Sequence, residues 1–471
     1  MGKKPEDIKK QKEKELEKKR KALEKKRAEK YKDDPQFAER IKKEAMERKL
    51  TEKELRKSSF SAFGEKIVSS VMFVPVTALI AFAVICLLCY LNGYRIFSSD
   101  MSVTGLFHCL YVGDFSIGIS SRLLIGSILS LFTDTITAES IDIFARVFLL
   151  LSFILQSALT AFVLKKGLKE KNIFIVILSC IFIVNPMTVF AYTLFFGVLD
   201  LYNYVVFIVS VMILMKGKSY FQFAIPLLSV AGLLIHYSYF LAFFPSVFVF
   251  GLYRAVNSEG KELKREATVL TVNSAVSVGG FLYLTILAKK FLFMNAEEMI
   301  EYVVSKTDTT VFVYEDYLNY YLFDIFKGTQ MEDTASSLSA LININRELTD
   351  TGVLIRYLLF IAPVLIIFWT VFAVAAKREK GKGKLPFIAA CAMPLALVPE
   401  LILSSDTWRW VSGTVICMFF VLFGFYLMKA PSVTGIFEDI KQMKRPVKIS
   451  VSVILLIYFV SCFVFEYKQY I

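Results

Sequence analysis

One short segment places ionisable side chains beside an apolar run of only about twelve residues, which is too short to cross a bilayer. Cys109–Asp134 reads CLYVGDFSIGISSRLLIGSILSLFTD and contains Asp114 and Arg122. A carboxylate can take a proton from a hydroxyl group, and a guanidinium group can bind a phosphate through two parallel hydrogen bonds. The two side chains therefore indicate a site that binds an anion and transfers a proton.

More polar side chains lie near the ends of long apolar stretches. Charged groups in or near hydrocarbon are costly, so they usually face a cavity or one another. We therefore expect them to line the same site as Asp114 and Arg122. They are Asp142, Arg146, Asp200, His236, Tyr237, Glu400, Asp406 and Arg409.

Each of these residues also has a purely structural explanation. Asp142 and Arg146 are four residues apart, so they share a helix face and can form an ion pair. His236 fits a hydrated helix tip as well as a binding group, and Arg122 fits an anchor to lipid headgroups. Asp114 fits an ordinary loop carboxylate. The sequence leaves these alternatives open.

The elements that must position these residues are membrane helices. The chain has 471 residues, is 56% hydrophobic and contains 44 Phe. Its repeated apolar runs of about twenty residues match the roughly 30 Å hydrocarbon core of a bilayer. The sequence predicts an all-α, polytopic integral membrane protein with about eleven transmembrane helices. The predicted spans are 67–92, 141–164, 173–192, 199–215, 219–235, 237–253, 268–288, 353–376, 385–404, 409–428 and 448–466.

Basic residues occur in alternate connections between these spans. The basic segments are 165–171, 216–218, 261–266, 377–384 and 441–448, together with the charged N-terminal segment 1–66. Cytoplasmic loops of membrane proteins carry an excess of Lys and Arg. The pattern predicts a cell-membrane protein with its N-terminus in the cytoplasm and its C-terminus outside.

The same pattern divides the chain into three parts. Residues 1–66 form a charged cytoplasmic helical segment, residues 67–466 the transmembrane domain, and residues 467–471 a short extracytoplasmic tail. Acids and bases are interleaved in the first part, which favours a solvated helix that also holds the N-terminus in the cytoplasm over one that binds nucleic acid or anionic lipid. Recruitment of a cytoplasmic partner by this helix is a further alternative. No nucleic-acid partner is expected.

Two predicted outer loops are long enough to fold. In loop 93–140 we expect interfacial helices at 102–113 and 121–132, on either side of Asp114. Loop 289–352 is acidic and rich in Tyr and Phe, which favours a folded cap or amphipathic surface helices. Two His and seven scattered Cys offer neither a His-rich metal site nor a disulfide framework.

This layout resembles the bacterial GT-C-type membrane glycosyltransferases, which share a cytoplasmic N-terminus, one span, and a long outer loop with an acid and interfacial helices. The segment GISSRLLIG is similar to surface-polysaccharide transferases that use lipid-linked sugars. The resemblance covers residues 67–466. It implies a GT-C-like fold and transfer of a sugar from a polyprenyl-phosphate donor to a glycan or lipid-linked acceptor at the outer membrane face.

The resemblance also implies roles for the candidate residues. Asp114 becomes the base, and Arg122 or Arg409 holds the phosphate. Asp406, His236 and Asp142 orient the acceptor or a divalent cation such as Mg²⁺ or Mn²⁺. The paired acids common in the family's first loop are replaced by Asp114 alone, with Asp100 nearby, so metal dependence stays open.

Three other functions remain compatible with the sequence. A transporter or flippase of lipid-linked saccharides would use broken helices, for which VNPMT at 184–188 and AMPLALVPEL at 392–401 are candidates. A polysaccharide polymerase would use the same chemistry as a single-sugar transferase. A scaffold would act through residues 1–60.

Overall fold

A computed structural model describes residues 64–103, 105–189, 193, 196–217, 220–288, 292–308, 351–399 and 407–464, together with Lys43 and Met46. The chain divides into two compact units, Met1–Ser70 and Val71–Ile471. Most of the first unit, and with it most of the charged segment 1–66, lies outside the described residues. The described part of the second unit is helical and has two isolated β-bridges but no strand, which confirms the all-α prediction there.

The helices of the second unit are named here in chain order. A 3-10 turn precedes α8, a π-helical turn follows α11, and a 3-10 turn follows α14. The helices are α1 Phe73–Leu91, α2 Gly105–Val112, α3 Leu124–Leu129, α4 Ala138–Lys169, α5 Ile173–Val184, α6 Pro186–Val189, α7 Asp200–Lys216, α8 Ala224–Ile235, α9 Tyr239–Ala242, α10 Phe244–Val256, α11 Gly260–Leu282, α12 Ala296–Ser305, α13 Thr351–Arg378, α14 Leu385–Ala392, α15 Thr407–Leu427, α16 Pro431–Gln442 and α17 Arg445–Val464.

Among the residues that the structure describes, six helical segments are long and apolar enough to cross a membrane. Three further apolar segments, Ile173–Val184, Tyr220–Ile235 and Phe244–Val256, are shorter. The chain is therefore a membrane protein of several helices, and the finer count of about eleven crossings exceeds the number that helix length alone supports. The six are Phe73–Leu91, Ala138–Lys169, Gly260–Leu287, Leu359–Arg378, Arg409–Leu427 and Arg445–Cys462.

Proline shortens one of the predicted spans. Stretch 173–192 is interrupted because α5 ends at Val184 and Pro186, which has no N–H, begins the separate helix α6. The buried side chain of Asn185 bridges the break: its Oδ1 accepts from Met187 N at 2.8 Å, and its Nδ2 donates to the Tyr458 hydroxyl at 2.7 Å. These bonds satisfy polar groups that would be costly in an apolar interior.

α15 forms the centre of the described bundle and contacts α4, α7, α10 and α13. Its side chains are apolar on every side and nearly all buried, as expected of a helix surrounded by other helices. Aromatic rings supply much of the contact. Phe420 packs against Tyr204 and Phe207 of α7, and Phe425 packs against Phe250 of α10. This packing fixes the start of α15, where Arg409 lies, relative to α7 and α10.

Within the second unit, the described residues of the basic segments lie at one end of this bundle, which we call the basic end. Lys166 donates to the carbonyl of Tyr426, which joins the ends of α4 and α15. Arg254 donates to the carbonyl of Gly217 at 3.1 Å, which joins the ends of α10 and α7. Arg378 forms an ion pair with Asp439, which joins α13 to α16.

Asp200 and Arg409 lie at the opposite end. α7 runs from Asp200 to Lys216, and α15 carries Arg409 near its start and Tyr426 near its end. At 1.5 Å of rise per residue, each helix separates its two ends by about 25 Å. That distance is close to the thickness of a hydrocarbon core. The bundle therefore has two polar ends with an apolar layer between them.

Candidate functional site

The site is built on a corner of the chain at His236. α8 ends at Ile235, and His236 takes an extended conformation with φ −161° and ψ 128°. The backbone N–H of His236 still closes the last helical turn by donating to Gly232 O at 2.9 Å. Asn203 of α7 donates from Nδ2 to His236 O at 3.1 Å. The corner is thus fixed from both sides, and its imidazole turns toward the start of α7.

The first loop is bound to this corner through its backbone and a serine. Arg122 N donates to Leu234 O at 2.8 Å. Ser121 Oγ donates to Leu233 O at 3.2 Å and accepts from Tyr237 N at 2.9 Å. Arg122 has φ 72°, in the left-handed region, which costs a non-glycine residue about 1–3 kcal/mol. The three bonds offset that cost and hold the arginine beside the histidine.

A chain of polar contacts, here called the Arg122–Arg409 chain, connects two arginines through the corner. Arg122 Nη2 lies 3.2 Å from His236 Nε2, and His236 Nδ1 lies 2.5 Å from Ser238 Oγ. Ser238 Oγ donates to Asp200 Oδ1 at 2.8 Å. Arg409 Nε lies 3.0 Å from Asp200 Oδ2 and closes the chain as an ion pair.

The donors in this chain determine where the histidine proton lies. A guanidinium group can only donate, so His236 Nε2 must accept from Arg122. A neutral imidazole carries one proton, which is then on Nδ1 and is donated to Ser238 Oγ at 2.5 Å. The backbone N of Ser238 also lies 3.2 Å from Nδ1, but an N–H group cannot donate to a protonated nitrogen, so the shorter contact with Oγ takes the Nδ1 proton. Ser238 in turn donates to the carboxylate of Asp200. The arrangement assigns one tautomer of a neutral His236.

The electrostatics agree with a neutral imidazole. Only 5% of the His236 side chain and 6% of the Asp200 side chain are exposed. Burial, followed by the positive charges of Arg122 and Arg409, holds the pKa of His236 well below its usual value of 6.5. Arg409 pairs with the Asp200 carboxylate on one side of the imidazole, and Arg122 contacts Nε2 on the other.

Aromatic rings flank both arginines. The guanidinium of Arg122 lies 5.5 Å from the centre of the Tyr237 ring, and that of Arg409 lies 4.4 Å from the centre of the Trp410 ring. The His236 ring stacks on Tyr237 at 4.8 Å and approaches Trp410 at 5.8 Å. Cation–π contacts of this kind hold a guanidinium plane without consuming its donors.

Asp114 belongs to a second cluster. Its Oδ2 accepts from the Tyr302 hydroxyl at 2.6 Å, from Lys306 Nζ at 3.3 Å and from Ser130 Oγ at 3.3 Å, and its Oδ1 accepts from Ser116 N at 2.8 Å. Burial opposes ionisation, but these hydrogen bonds and the Lys306 charge outweigh it and lower the pKa of the Asp114 carboxyl. The carboxylate therefore holds no proton at neutral pH and is already well solvated by donors.

This second cluster joins the two loops that the sequence predicts to be outside the membrane, 93–140 and 289–352. α12 starts at a capping box in which Asn295 and Glu298 bond to each other's backbone N–H groups, and it carries Tyr302. On either side, Phe293 N donates to Ile117 O and Ile136 N donates to Lys306 O, both at 2.8 Å. The helix forms part of the surface structure expected in loop 289–352. Residues 309–350 lie outside the described residues.

Asp142 and Arg146 bind the backbone of the first loop. Asp142 Oδ1 accepts from Val103 N at 2.6 Å, and Arg146 Nη2 donates to Met101 O at 2.8 Å. They share a helix face as predicted and hold the loop where it approaches α4.

The structure brings four of the predicted site residues together: Arg122, Asp200, His236 and Arg409. Tyr237 flanks them. Asp114, Asp142 and Arg146 have their described contacts elsewhere, and Glu400 and Asp406 lie outside the described residues. No group of three or more His, Cys, Asp or Glu side chains that could hold a metal ion occurs among the residues described.

Sequence reasoning missed four polar partners: Ser121, Ser238, Tyr302 and Lys306. Ser238 follows two residues after His236 in a short polar corner, and that local signal was available. The other three contact their partners across more than 100 residues, namely 116 for Ser121 and Tyr237, 188 for Tyr302 and Asp114, and 192 for Lys306 and Asp114. Pairing over such distances is not readable from one sequence.

Fold and site together define a class: a helical membrane protein with a buried arginine–histidine–carboxylate site at the end opposite its basic end. Comparison with protein-family models finds no match, and comparisons with curated proteins and with solved structures find none either.

Proposed function

We propose that this protein transfers a sugar from a polyprenyl-phosphate donor to a glycan or lipid-linked acceptor at the outer face of the cell membrane. The observation that carries the proposal is the Arg122–Arg409 chain, which holds one guanidinium group at each end of a buried His236–Ser238–Asp200 relay. When the bond between the sugar and the phosphate breaks, negative charge develops on the phosphate. Arginines preorganised in a site of low dielectric stabilise such charge strongly.

The position of the site favours a substrate held in the membrane. The site lies about 25 Å from the basic end, near the opposite surface of the bundle. By the positive-inside rule the basic end is cytoplasmic, so the site faces outward. The N-terminus is then cytoplasmic and the C-terminus extracytoplasmic if the shorter helices α5, α7, α8, α10 and α14 complete the crossings to about eleven. A polyprenyl chain in the outer leaflet would present its phosphate at this depth.

The first outer loop supports the GT-C-like layout. Two short helices, α2 and α3, lie between the first and second long helices, and the segment between them carries Asp114 and Arg122. α12 of the second loop binds the first loop beside them. Loops joined in this way over a site can exclude water from a bound sugar phosphate.

The test is a transfer assay on the full chain reconstituted in vesicles. The donor is a radiolabelled sugar on undecaprenyl phosphate, and formation of labelled acceptor glycan is measured. Arg122→Ala and Arg409→Ala are expected to lower turnover at least 100-fold, the usual loss for one preorganised charge donor. The matched control is Arg95→Ala, because the Arg95 side chain is 64% exposed in an ion pair with Asp100 and lies outside the site. Equal turnover in all three variants would refute the proposed role of the site.

A transporter or flippase of lipid-linked saccharides is the second candidate. The broken helix at Asn185–Pro186 favours it, because discontinuous helices in the bundle interior are typical of transport sites. Asn185 is fully buried and bonds to Tyr458 of α17. Scrambling of a labelled lipid-linked saccharide across the vesicle bilayer, without new glycosidic bonds, would favour this function over transfer.

A further inference from the structure

We propose that His236, oriented by Ser238 and Asp200, is the base that accepts the proton of the attacking hydroxyl, and that Arg122 keeps this base blocked until a phosphate is bound. The inference rests on the proposed function and assigns the catalytic base of its reaction.

The orientation of the imidazole supports this role. Its Nδ1–H is used by Ser238, which is itself fully buried and bonded to Asp200. Nε2 therefore carries the lone pair that can accept a proton. The ring cannot turn without breaking its contacts with Ser238 at Nδ1 and Arg122 at Nε2. A base held by a carboxylate in the correct tautomer is the arrangement that hydrolases and transferases use to activate a hydroxyl.

The group that occupies Nε2 is the group expected to bind phosphate. Arg122 Nη2 lies 3.2 Å from Nε2, on the outer loop side of the corner. A phosphate offers a guanidinium group two charged acceptors, whereas Nε2 is a single neutral acceptor, so phosphate is a stronger partner than Nε2. Binding of the donor would therefore draw the guanidinium away from the imidazole. The lone pair of Nε2 would become available when the donor is in place, and water would have little access to it before.

The chemical step then balances. The acceptor oxygen forms a bond to the anomeric carbon, and its proton passes to His236 Nε2. The bond between the anomeric carbon and the phosphate oxygen breaks, and its electron pair stays on the phosphate, where Arg122 stabilises the charge. The imidazolium gains a hydrogen-bonded path to Asp200 through Ser238.

Asp114 is less suited to this step. Its carboxylate already accepts four hydrogen bonds, which lower its pKa. A lowered pKa makes both Asp114 and His236 weaker bases, but departure of Arg122 would raise the pKa of His236, whereas the donors to Asp114 stay in place. The role of base that the resemblance implies for Asp114 stays a prediction, and turnover of an Asp114 variant beside a His236 variant decides between them.

Nuclear magnetic resonance can test the blocked base without any assay of transfer. The chain has two His, so a His108→Gln variant labelled at histidine reports His236 alone. The described groups that face its imidazole are Arg122 from the first loop, Asp200 from α7, Arg409 from α15 and Tyr237 beside it. We expect a neutral ring protonated on Nδ1. Addition of undecaprenyl phosphate should raise the pKa of His236, and the same addition to an Arg122→Ala protein should raise it less. If the pKa of His236 does not change when undecaprenyl phosphate is added, the proposal that Arg122 blocks Nε2 is wrong.

The transfer assay tests the base itself. His236→Gln should lower turnover by about 10²- to 10⁴-fold, the range of a general base, while binding of undecaprenyl phosphate changes little. The control is His108→Gln, which should keep wild-type turnover. Transfer by the wild-type protein with equal turnover in His236→Gln would refute the inference and leave the proposed function standing. Absence of transfer by the wild-type protein from every donor would instead refute the proposed function.

Discussion

Arg122 Nη2 lies 3.2 Å from His236 Nε2, although 114 residues separate the two along the chain. The contact joins the loop between α1 and α4 to the corner after α8, and it gives the buried imidazole a cationic neighbour. Since Asp200 and Arg409 hold the other side of the ring through Ser238, the histidine is clamped between two guanidinium groups. We therefore expect the loss of a contact in the Arg122–Arg409 chain to destabilise the corner.

Ser238→Ala should destabilise the protein by about 1–3 kcal/mol, because it leaves His236 Nδ1–H and Asp200 Oδ1 buried without their hydroxyl partner. Reversible denaturant unfolding in detergent micelles, followed by Trp fluorescence, measures the change.

The matched control is Ser246→Ala. Ser246 is also fully buried, but its hydroxyl contacts the Met393 sulfur at 3.0 Å, which is a weak acceptor. The control should lose less free energy than Ser238→Ala. A larger loss in the control would contradict the importance assigned to Ser238.

Asp114→Asn should weaken the contacts of Tyr302 and Lys306 with the first loop at neutral pH. These contacts are the tie between loops 93–140 and 289–352. The pKa of Asp114 is lower in the folded protein, so its contribution to stability is present above its ordinary pKa of 3.8 and is lost as the pH falls through the folded value. The pKa of Lys306 is raised, first by its hydrogen bond with Tyr302, so its contribution is present below 10.5 and is lost as the pH rises through its folded value. Between these limits the wild-type tie is complete.

Hydrogen exchange of the Phe293 and Ile136 amides measures this tie. Asp114→Asn should speed their exchange at pH 7 and remove the change that the wild type shows below about pH 4. Asp100→Asn is the control, because Asp100 is 62% exposed in its ion pair with Arg95. Equal acceleration by both variants would show that Asp114 has no special role in joining the loops.

Gly126→Ala should displace α3 from the segment that precedes Asp114. A methyl group at Gly126 would lie 2.0 Å from the carbonyl oxygen of Gly113, so one backbone segment must move. We expect a loss of about 1–3 kcal/mol, as for overpacking elsewhere, seen as a lower unfolding midpoint.

Gly279→Ala is the matched control for this substitution. Gly279 lies inside α11 with no atom within 4 Å of its added methyl group, and helix propensity favours alanine there by up to about 1 kcal/mol. It should leave stability unchanged or raise it. If the two alanine variants unfold alike, the close approach of α3 to Gly113 does not constrain the loop.

The sequence predicts where the helices of this protein occur better than it predicts how long each helix is. Apolar runs identify the helices, because burial in lipid and burial in the bundle both require them. An apolar run does not show whether its helix is continuous or broken. The run 173–192 is predicted as a single span, but α5 ends before Pro186. Helix length depends on caps and breaks such as Asn185, whose partner Tyr458 is 273 residues away.

The sequence predicts which residues gather in the candidate site better than it predicts the partner that each one contacts. The cost of burying charge explains why Arg122, Asp200, His236 and Arg409 meet. The same argument applies to Asp142 and Arg146, which instead bind the backbone of residues 101–103. Whether a buried charge meets another side chain or a backbone group depends on how helices pack, and that information is spread over the whole chain. The partners of Asp114 were likewise not predictable from the sequence, because Tyr302 and Lys306 lie in the distant loop 289–352.

Cysteine labelling tests the orientation on which the outer site depends. In a variant without its seven native Cys, Ser99→Cys places a thiol on the exposed part of the first loop, and Lys382→Cys places one at the exposed basic end. An impermeant maleimide added to intact cells should label the cysteine at 99, whereas labelling at 382 should require permeabilised cells, because Lys-rich ends stay in the cytoplasm. Equal labelling of both after permeabilisation is the control for reactivity. Labelling of intact cells at 382 alone would place the Arg122–Arg409 chain on the cytoplasmic side, where a donor in the outer leaflet could not reach it.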